Sequence, residues 1–463
     1  MQSSSGKTDT SQKYYTQIFA IAIPIIIQGM VFQAQTLINR AFLGNLKTEY
    51  LSAIGNVSFP YQATLSVVIS ISTGLTILIS RCAGAKDFKQ ARGYMHTSIV
   101  FSSVFSTLLF TVWYFLANTI FLAMGVSSSL IDYCDNYMKI LSLYLLIFGV
   151  DISVQASLQG VGKTKPIMYA GIYKVMMNIF LDWCLIFGNL GMPQLGMEGA
   201  AIASTISNIS SAVVLILYMF LSKSLPIKAR LTELVHPKLS QYKQIMTLGL
   251  PTGFELMAWY IGSLMLIRLM NGLSESAVAM FTIITSIEGM TFLISDGIAR
   301  GSLTLIGYKI GEGKPKESRS VIRESILYNL SIITVAFAFF VLFSRQILSL
   351  FTNDHQLISS SVFYFILVCV AIFPKSLCVQ VGTGIRAFGD AKWMLFTQVV
   401  GTFFVIASAY TLVYVFKMDI FAVYLTIFLD EILRSAWNAF HLKTARYPGF
   451  YSEETSGEIR STA

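Results

Sequence analysis

GLTILISRCAGAKDFKQAR (74–92) and GSLTLIGYKIGEGKPKESR (301–319) lie 227 residues apart and align without a gap. In that register Gly74 falls on Gly301, Gly84 on Gly311, Lys89 on Lys316 and Arg92 on Arg319. The same offset sets Pro24 on Pro251, Gly162 on Gly389 and Lys165 on Lys392. Glycine and proline punctuate a backbone, so their coincidence over most of the chain without an insertion identifies an internal duplication. The basic stretch 223–243, with Pro226 and Pro237, joins the two copies.

Each copy is built from apolar runs. A helix needs about 20 apolar residues to cross a hydrocarbon core of about 30 Å. Twelve such runs are read at 15–39, 51–80, 94–120, 132–158, 166–188, 197–221, 246–270, 277–308, 322–350, 358–384, 394–416 and 420–441. The second and eighth are long, which predicts tilt or a bend. Six runs per copy is an even number, so both copies share one orientation. That predicts an all-α polytopic membrane protein of twelve transmembrane helices in two six-helix lobes, related by a pseudo-twofold axis along the membrane normal. The expected divisions are a tail 1–14, an N-lobe 15–222, a linker 223–245, a C-lobe 246–442 and a tail 443–463. Residues 1–13 are polar and do not read as a cleavable signal.

Composition agrees. Of 463 residues, 54% are apolar and 12% charged, where a soluble domain carries about 25% charged residues. Mean hydropathy is +0.65. The net charge of +9 is a topology signal and not a nucleic-acid footprint, because the basic residues sort by loop. They gather in 83–92, 162–165, 223–243, 311–323 and 389–392. The opposite side carries only Arg40, Lys47, Arg345 and Lys417. The positive-inside rule then puts both termini in the cytoplasm of a multi-pass protein of the plasma (inner) membrane. Five scattered cysteines without a CxxC pair read as packing residues, and four His make zinc chemistry improbable. No GxxxxGK[ST] is present, so uphill transport would need an ion gradient rather than ATP. Two lobes around one axis suit a carrier that opens to either side, with no enzyme activity and no cofactor beyond H+ or Na+.

Further phrases carry a resemblance. AIPIIIQ lies in the first run, LQGVGKTKPIM between the fourth and fifth, and IRAFGDAKW after the tenth. NIFLDWCLIFGNLGMPQLGMEGAAIAS covers the fifth and sixth. Together with 74–92 they make the chain resemble the multidrug and toxic compound extrusion (MATE) transporters, closer to the bacterial branches, over roughly residues 15–445. The resemblance implies efflux of organic, often cationic, compounds by alternating access in exchange for protons or sodium. It also implies an N-lobe cation site. Asn178 and Asp182 match its fifth-span pair, while Asn39, followed by Arg40, occupies the first-span position where the family pattern carries an Asp. Sodium at Asp182 and a one-proton cycle are both open; losing the second carboxylate favours the proton.

Charge inside a span costs about 2.5–3.5 kcal/mol at a helix centre on insertion scales, so each charged residue there needs a reason. Asn178 and Asp182 are four apart and share one helix face. Glu255 follows Pro251, and Lys375 follows Pro374; pairing with each other would neutralise both. Asp296 and Arg300 are spaced for a same-helix ion pair. Asp151 and Lys174 are further candidates to face a cavity. Trp259 and Tyr260 offer cation–π faces near Glu255. The acids of DEILR, Asp430 and Glu431, are expected to pair locally with Arg434 and anchor the helix end, without a transport role. Such mixed charge suits a cationic, zwitterionic or polar small organic substrate. A complete pair of lobes predicts a monomer in the lipid bilayer, without nucleic acid. Two alternatives stay open: a lipid-linked saccharide flippase of the same superfamily, and a non-transporting membrane receptor or regulator, the latter because of Asn39.

Overall fold

A computed structural model describes residues 5–44, 46, 48–228, 233, 237–273, 275–349, 355–445 and 447. The tail expected beyond Tyr447 lies outside them, as does the side chain of Arg40. The described chain is helical throughout: α1 Ser5–Gly44, α2 Thr48–Gly84, α3 Phe88–Ala123, α4 Ser128–Ser142, α5 Leu145–Gly160, α6 Lys165–Phe187 and α7 Gly196–Leu221. It continues with α8 Leu239–Asn271, α9 Glu275–Gly311, α10 Pro315–Leu342, α11 Ser344–Ser349, α12 His355–Ala387, α13 Ala391–Tyr414 and α14 Phe421–Thr444. These match the twelve runs, with α4 and α5 forming the fourth and α11 continuing the ninth. Helices such as α1 and α8 start before the apolar run does. Apolarity marks the length that crosses lipid, whereas extending a nucleated helix into polar sequence costs little.

The duplication is visible in the helix ends. Shifted by 227, α2 lands on α9 and the α4–α5 pair lands on α12, end for end. The C-terminal caps repeat bond for bond. Gly162 (φ 70°) donates to Gln159 O at 2.9 Å and Lys163 to Leu158 O at 2.8 Å. In the second copy Gly389 (φ 99°) donates to Arg386 O at 2.9 Å and Asp390 to Ile385 O at 3.1 Å. Both are Schellman ends, whose left-handed residue is glycine because a Cβ would be strained there. Asp87 accepts from Gln90 N to cap α3 and Asp390 from Trp393 N to cap α13. The helix starts do not repeat, since the counterpart helices α10 and α6 begin without a side-chain cap.

The copies differ at the fourth span. α4 and α5 meet at 49° across Leu143 and Tyr144, with no proline at the break. Helix α12, its counterpart, is continuous and contains Pro374. α1, α2 and α8 likewise run through Pro24, Pro60 and Pro251. Proline therefore does not mark where the helix assignment breaks.

Among the described residues nine helices are long and apolar enough to cross a membrane, or ten with the α4–α5 pair as one span. α9 and α14 are not counted among them; they carry Glu288, Asp296 and Arg300, and Asp430, Glu431 and Arg434, in their interiors. Outer faces are apolar, with Phe115, Val335 and Phe403 at least 70% exposed, while Asn178 and Asp182 are fully buried. That reversal of the soluble pattern is what lipid as solvent demands.

Two compact units emerge: an N-unit, residues 23–253, and a C-unit, residues 1–22 with 254–463. Each holds five whole spans and two half-helices, since the chain passes between units inside α1 and inside α8, beside Pro24 and Pro251. In the N-unit, buried Gly199, Ala200, Ala201 and Ala203 bring α7 against α6. A Cβ at Gly199 would stand 2.6 Å from Leu185 O, so no larger residue fits. The start of the linker packs too, with Leu225 and Ile227 buried in the N-unit core. In the C-unit the first half of α1 is held by Gly301, where a Cβ would meet Ile18 O at 2.7 Å. Tyr14 Oη also donates to Glu317 at 3.1 Å, and the Tyr15 ring lies 5.2 Å from that of Tyr328.

Candidate functional site

In the N-unit, α6 presents Asn178 and Asp182 on one face, one turn apart, as their spacing predicts. Both side chains are fully buried. α1 supplies the other wall: Asn39 lies 3.1 Å from the Asn178 amide, and Gln35, one turn earlier, hydrogen bonds Asn178. Oriented by the network they sit in, the amide nitrogens of Asn39 and Asn178 both reach Asp182 Oδ2, at 2.8 and 3.1 Å. Asp182 Oδ1 is buried and finds no donor among the described residues. One carboxylate oxygen is thus held by two neutral amides and the other is unengaged. No Lys or Arg is paired with it among the described residues. Such a group can bind a proton or a small cation.

Asp151 and Lys174 share this unit. Tyr144, at the α4–α5 break, donates its hydroxyl to Asp151 Oδ2 at 2.6 Å. Lys174 Nζ stands 4.9 Å from the Phe32 ring centroid.

The C-unit is organised by ion pairs instead. The expected Glu255–Lys375 pair is not formed. Glu255 Oε1 takes Arg386 at 2.5 Å, and Lys375 takes Glu288 of α9 at 2.7 Å. Each buried charge still finds an opposite one: Glu255 takes a partner further along α12, on nearly the same face but at another depth, and Lys375 takes one on α9, because depth and packing select partners that linear spacing cannot show. Asp296 and Arg300 do pair with each other, at 2.7 Å. Arg434 bridges Asp430 at 3.2 Å and Glu431 at 2.9 Å, and hydrogen bonds Gln398.

Those last groups surround a cavity of about 110 Å³. Glu288, Lys375, Gln398, Asp430, Glu431 and Arg434 form its polar wall, and Trp259, Phe281 and Tyr424 its aromatic wall. The local ion pair expected of Asp430, Glu431 and Arg434 is present, but it lines a cavity instead of merely anchoring a helix end. Trp259 lines it as well. Tyr260 packs edge-on against Trp259 at 5.1 Å, and Tyr260, Glu255, Asp296 and Arg300 stay outside the lining. Glu288 and Arg386 escaped the sequence reading: Glu288 lies in the eighth run with Asp296 and Arg300, and Arg386 falls two residues past the tenth. Gln35 is a neutral amide, and its signal was only its place one turn before Asn39.

The offset of 227 relates the two places. Gln35, Asn39, Asn178 and Ser204 of the N-unit correspond to Gly262, Leu266, Val405 and Glu431, and all four counterparts line the cavity. Ser204 Oγ is itself 3.4 Å from the Asn178 amide. Where one copy fills its interior with amides and a carboxylate, the other replaces them with Gly262 and apolar residues and leaves room.

A family model, MatE, matches residues 24–184 and 251–411, two segments whose starts and ends are both offset by 227. The chain is 28% identical over 348 residues to a protein named "Probable multidrug resistance protein NorM" of Thermotoga maritima, covering 74% of each. Its fold is similar to a structure described as the outward-facing conformation of a multidrug resistance MATE family transporter of the MOP superfamily. That likeness has a TM-score of 0.86 at 20% identity, over 92% of this chain and 95% of the other. It is equally similar to a MOP superfamily transporter from Pyrococcus furiosus described as having a binding pocket of reverse polarity. There the TM-score is 0.85 at 20% identity, over 93% and 96% of the chains.

Proposed function

The chain belongs to the MatE family of multi-pass membrane transporters, and on that footing we infer that it is a secondary active exporter of small organic compounds. It alternates between cytoplasm-open and outside-open states and exchanges its cargo for protons or sodium. Asp182, with Asn178 and Asn39, is the coupling site. Lys375 and Trp259 belong to a polar substrate site in the C-unit, with Glu288 taking the place expected of Glu255. The lobes are 15–222 and 246–442, both termini face the cytoplasm, the membrane is the plasma (inner) membrane and the protein acts as a monomer.

One observation carries the reading: among the described residues the fully buried Asp182 carboxylate has no cationic partner and one unengaged oxygen. A buried charge without a partner is expensive in any protein and more so in a bilayer. A group that holds and releases a proton or sodium accounts for that cost, since the charge is present for only part of the cycle. With a single carboxylate among three amides, the site offers a proton a full partner and sodium a weak one.

Reconstituted vesicles loaded with a fluorescent organic cation test this under a proton gradient and a sodium gradient imposed separately. The expected outcome is efflux under the proton gradient, abolished by Asp182→Asn. Efflux that survives the substitution removes Asp182 from coupling. No efflux under either gradient, in protein shown to be folded, removes the exporter reading.

A further inference from the structure

The C-unit cavity has polar capacity that its own residues leave unused. Glu431 is 6% exposed; its Oε1 takes Arg434, and its Oε2 is buried and meets no donor among the described residues. Tyr424 is 2% exposed, and its hydroxyl also has no partner among them. Both residues line the cavity. Buried polar atoms are nearly always satisfied, and an orphaned one costs its full desolvation. The wall is therefore complete only when a guest supplies the missing partners.

The chemistry of that guest can be read from the wall. Three carboxylates, Glu288, Asp430 and Glu431, face two cations, Lys375 and Arg434, leaving one formal negative charge. Lys375 is engaged by Glu288 at 2.7 Å, so an anionic guest would have to displace an existing partner. A cationic guest meets a free acceptor at Glu431 Oε2 and an aromatic face at Trp259. The acceptor asks for an N–H, which a quaternary ammonium lacks. A cavity of about 110 Å³ is smaller than the ~150 Å³ that holds one benzene. It takes a head group with a short stub and excludes a polycyclic body.

We propose that the C-unit cavity binds a primary or secondary ammonium head group, anchored on Glu431 Oε2 with the Tyr424 hydroxyl as second polar contact. This deepens the exporter reading, on which it rests for the site's role in transport but not for its existence. The guest's N–H completes Glu431, its charge neutralises the wall, and its apolar stub lies against the aromatic side.

Titration calorimetry on purified protein, with n-butylammonium and the equally sized tetramethylammonium as probes, tests the site. The primary amine binds roughly tenfold or more tightly than the quaternary one, as a charge-assisted hydrogen bond requires. Glu431→Gln erases the preference. Tyr424→Phe weakens the primary amine several-fold and keeps the preference. Equal affinities, a preference that outlives Glu431→Gln, or tighter binding of butyrate would each overturn the proposal. Should Glu431→Gln fail to fold, the near-isosteric Tyr424→Phe decides, and an unchanged affinity sinks it. Amine binding without vesicle efflux keeps the site and removes the exporter reading. Efflux without amine preference does the reverse.

Discussion

The two copies solve one problem, how to keep polar groups inside a membrane-embedded core, in opposite ways. The N-unit gathers Gln35, Asn39, Asn178 and Asp182, so that neutral amides surround one carboxylate that is unpaired among the described residues. The C-unit joins Glu255 to Arg386, Glu288 to Lys375 and Arg434 to Asp430 and Glu431. Each of these three cations is matched, and among these groups the surplus is acid. A site that must change charge during a cycle cannot be clamped by a fixed counter-ion, whereas a site that must keep its charge needs one. The difference separates a titratable place from a permanently polar one.

Stability measurements break or sharpen that contrast. The largest effect is expected from Lys375→Met, which leaves Glu288 buried and unpaired and costs about 3–5 kcal/mol. Adding Glu288→Gln recovers most of it in a thermal melt. Asp182→Asn in the same assay moves stability by less than about 1 kcal/mol, because its side-chain oxygen still accepts from both amides. If the two variants cost the same, the distinction between clamped and unclamped sites is wrong.

Asn39→Asp places a second carboxylate 2.8 Å from the first. Like charges at that range disfavour joint ionisation, so the variant loses stability as pH rises above neutrality. Sodium, offered oxygen ligands from two acids, restores it, read as a melting temperature at pH 8 in sodium against choline chloride. An Asn39→Asp protein indifferent to both pH and sodium would show that the amide cluster is packing alone. Similarly small effects come from Gly162→Ala and Gly389→Ala, each about 1 kcal/mol, from forcing a Cβ into the left-handed region. Unequal costs would separate two caps that look alike.

Much of the fold was legible because its signals are one-dimensional. Apolar run length gives span number, and the fixed offset of Gly74, Gly84 and Gly162 from Gly301, Gly311 and Gly389 gives the duplication. The Asn178–Asp182 face followed from helical periodicity, and Asn39 from the family pattern. Pairing between helices was not legible. Glu255 and Lys375 each follow a proline, yet depth and packing give them to Arg386 and Glu288, and no spacing rule reports either. The break at Leu143–Tyr144 was silent too, since it uses neither proline nor glycine. The cavity was invisible for a further reason: space is written as the smallness of Gly262 and the apolarity of Val405, and neither stands out alone.

The passage of the chain between units inside α1 and α8 has a consequence for synthesis order. Residues 5–22 leave the ribosome well before Gly301, Glu317 and Tyr328, which hold that half-helix in the C-unit and are about 280 to 310 residues away. At about 5–20 residues per second, the half-helix waits on the order of tens of seconds for its seat. The N-unit closes earlier, needing only the first half of α8 to be complete. That half-helix is therefore made long before it finds its place, and a transcript cut at the linker yields two products, each lacking a half-helix and carrying one that belongs to the other.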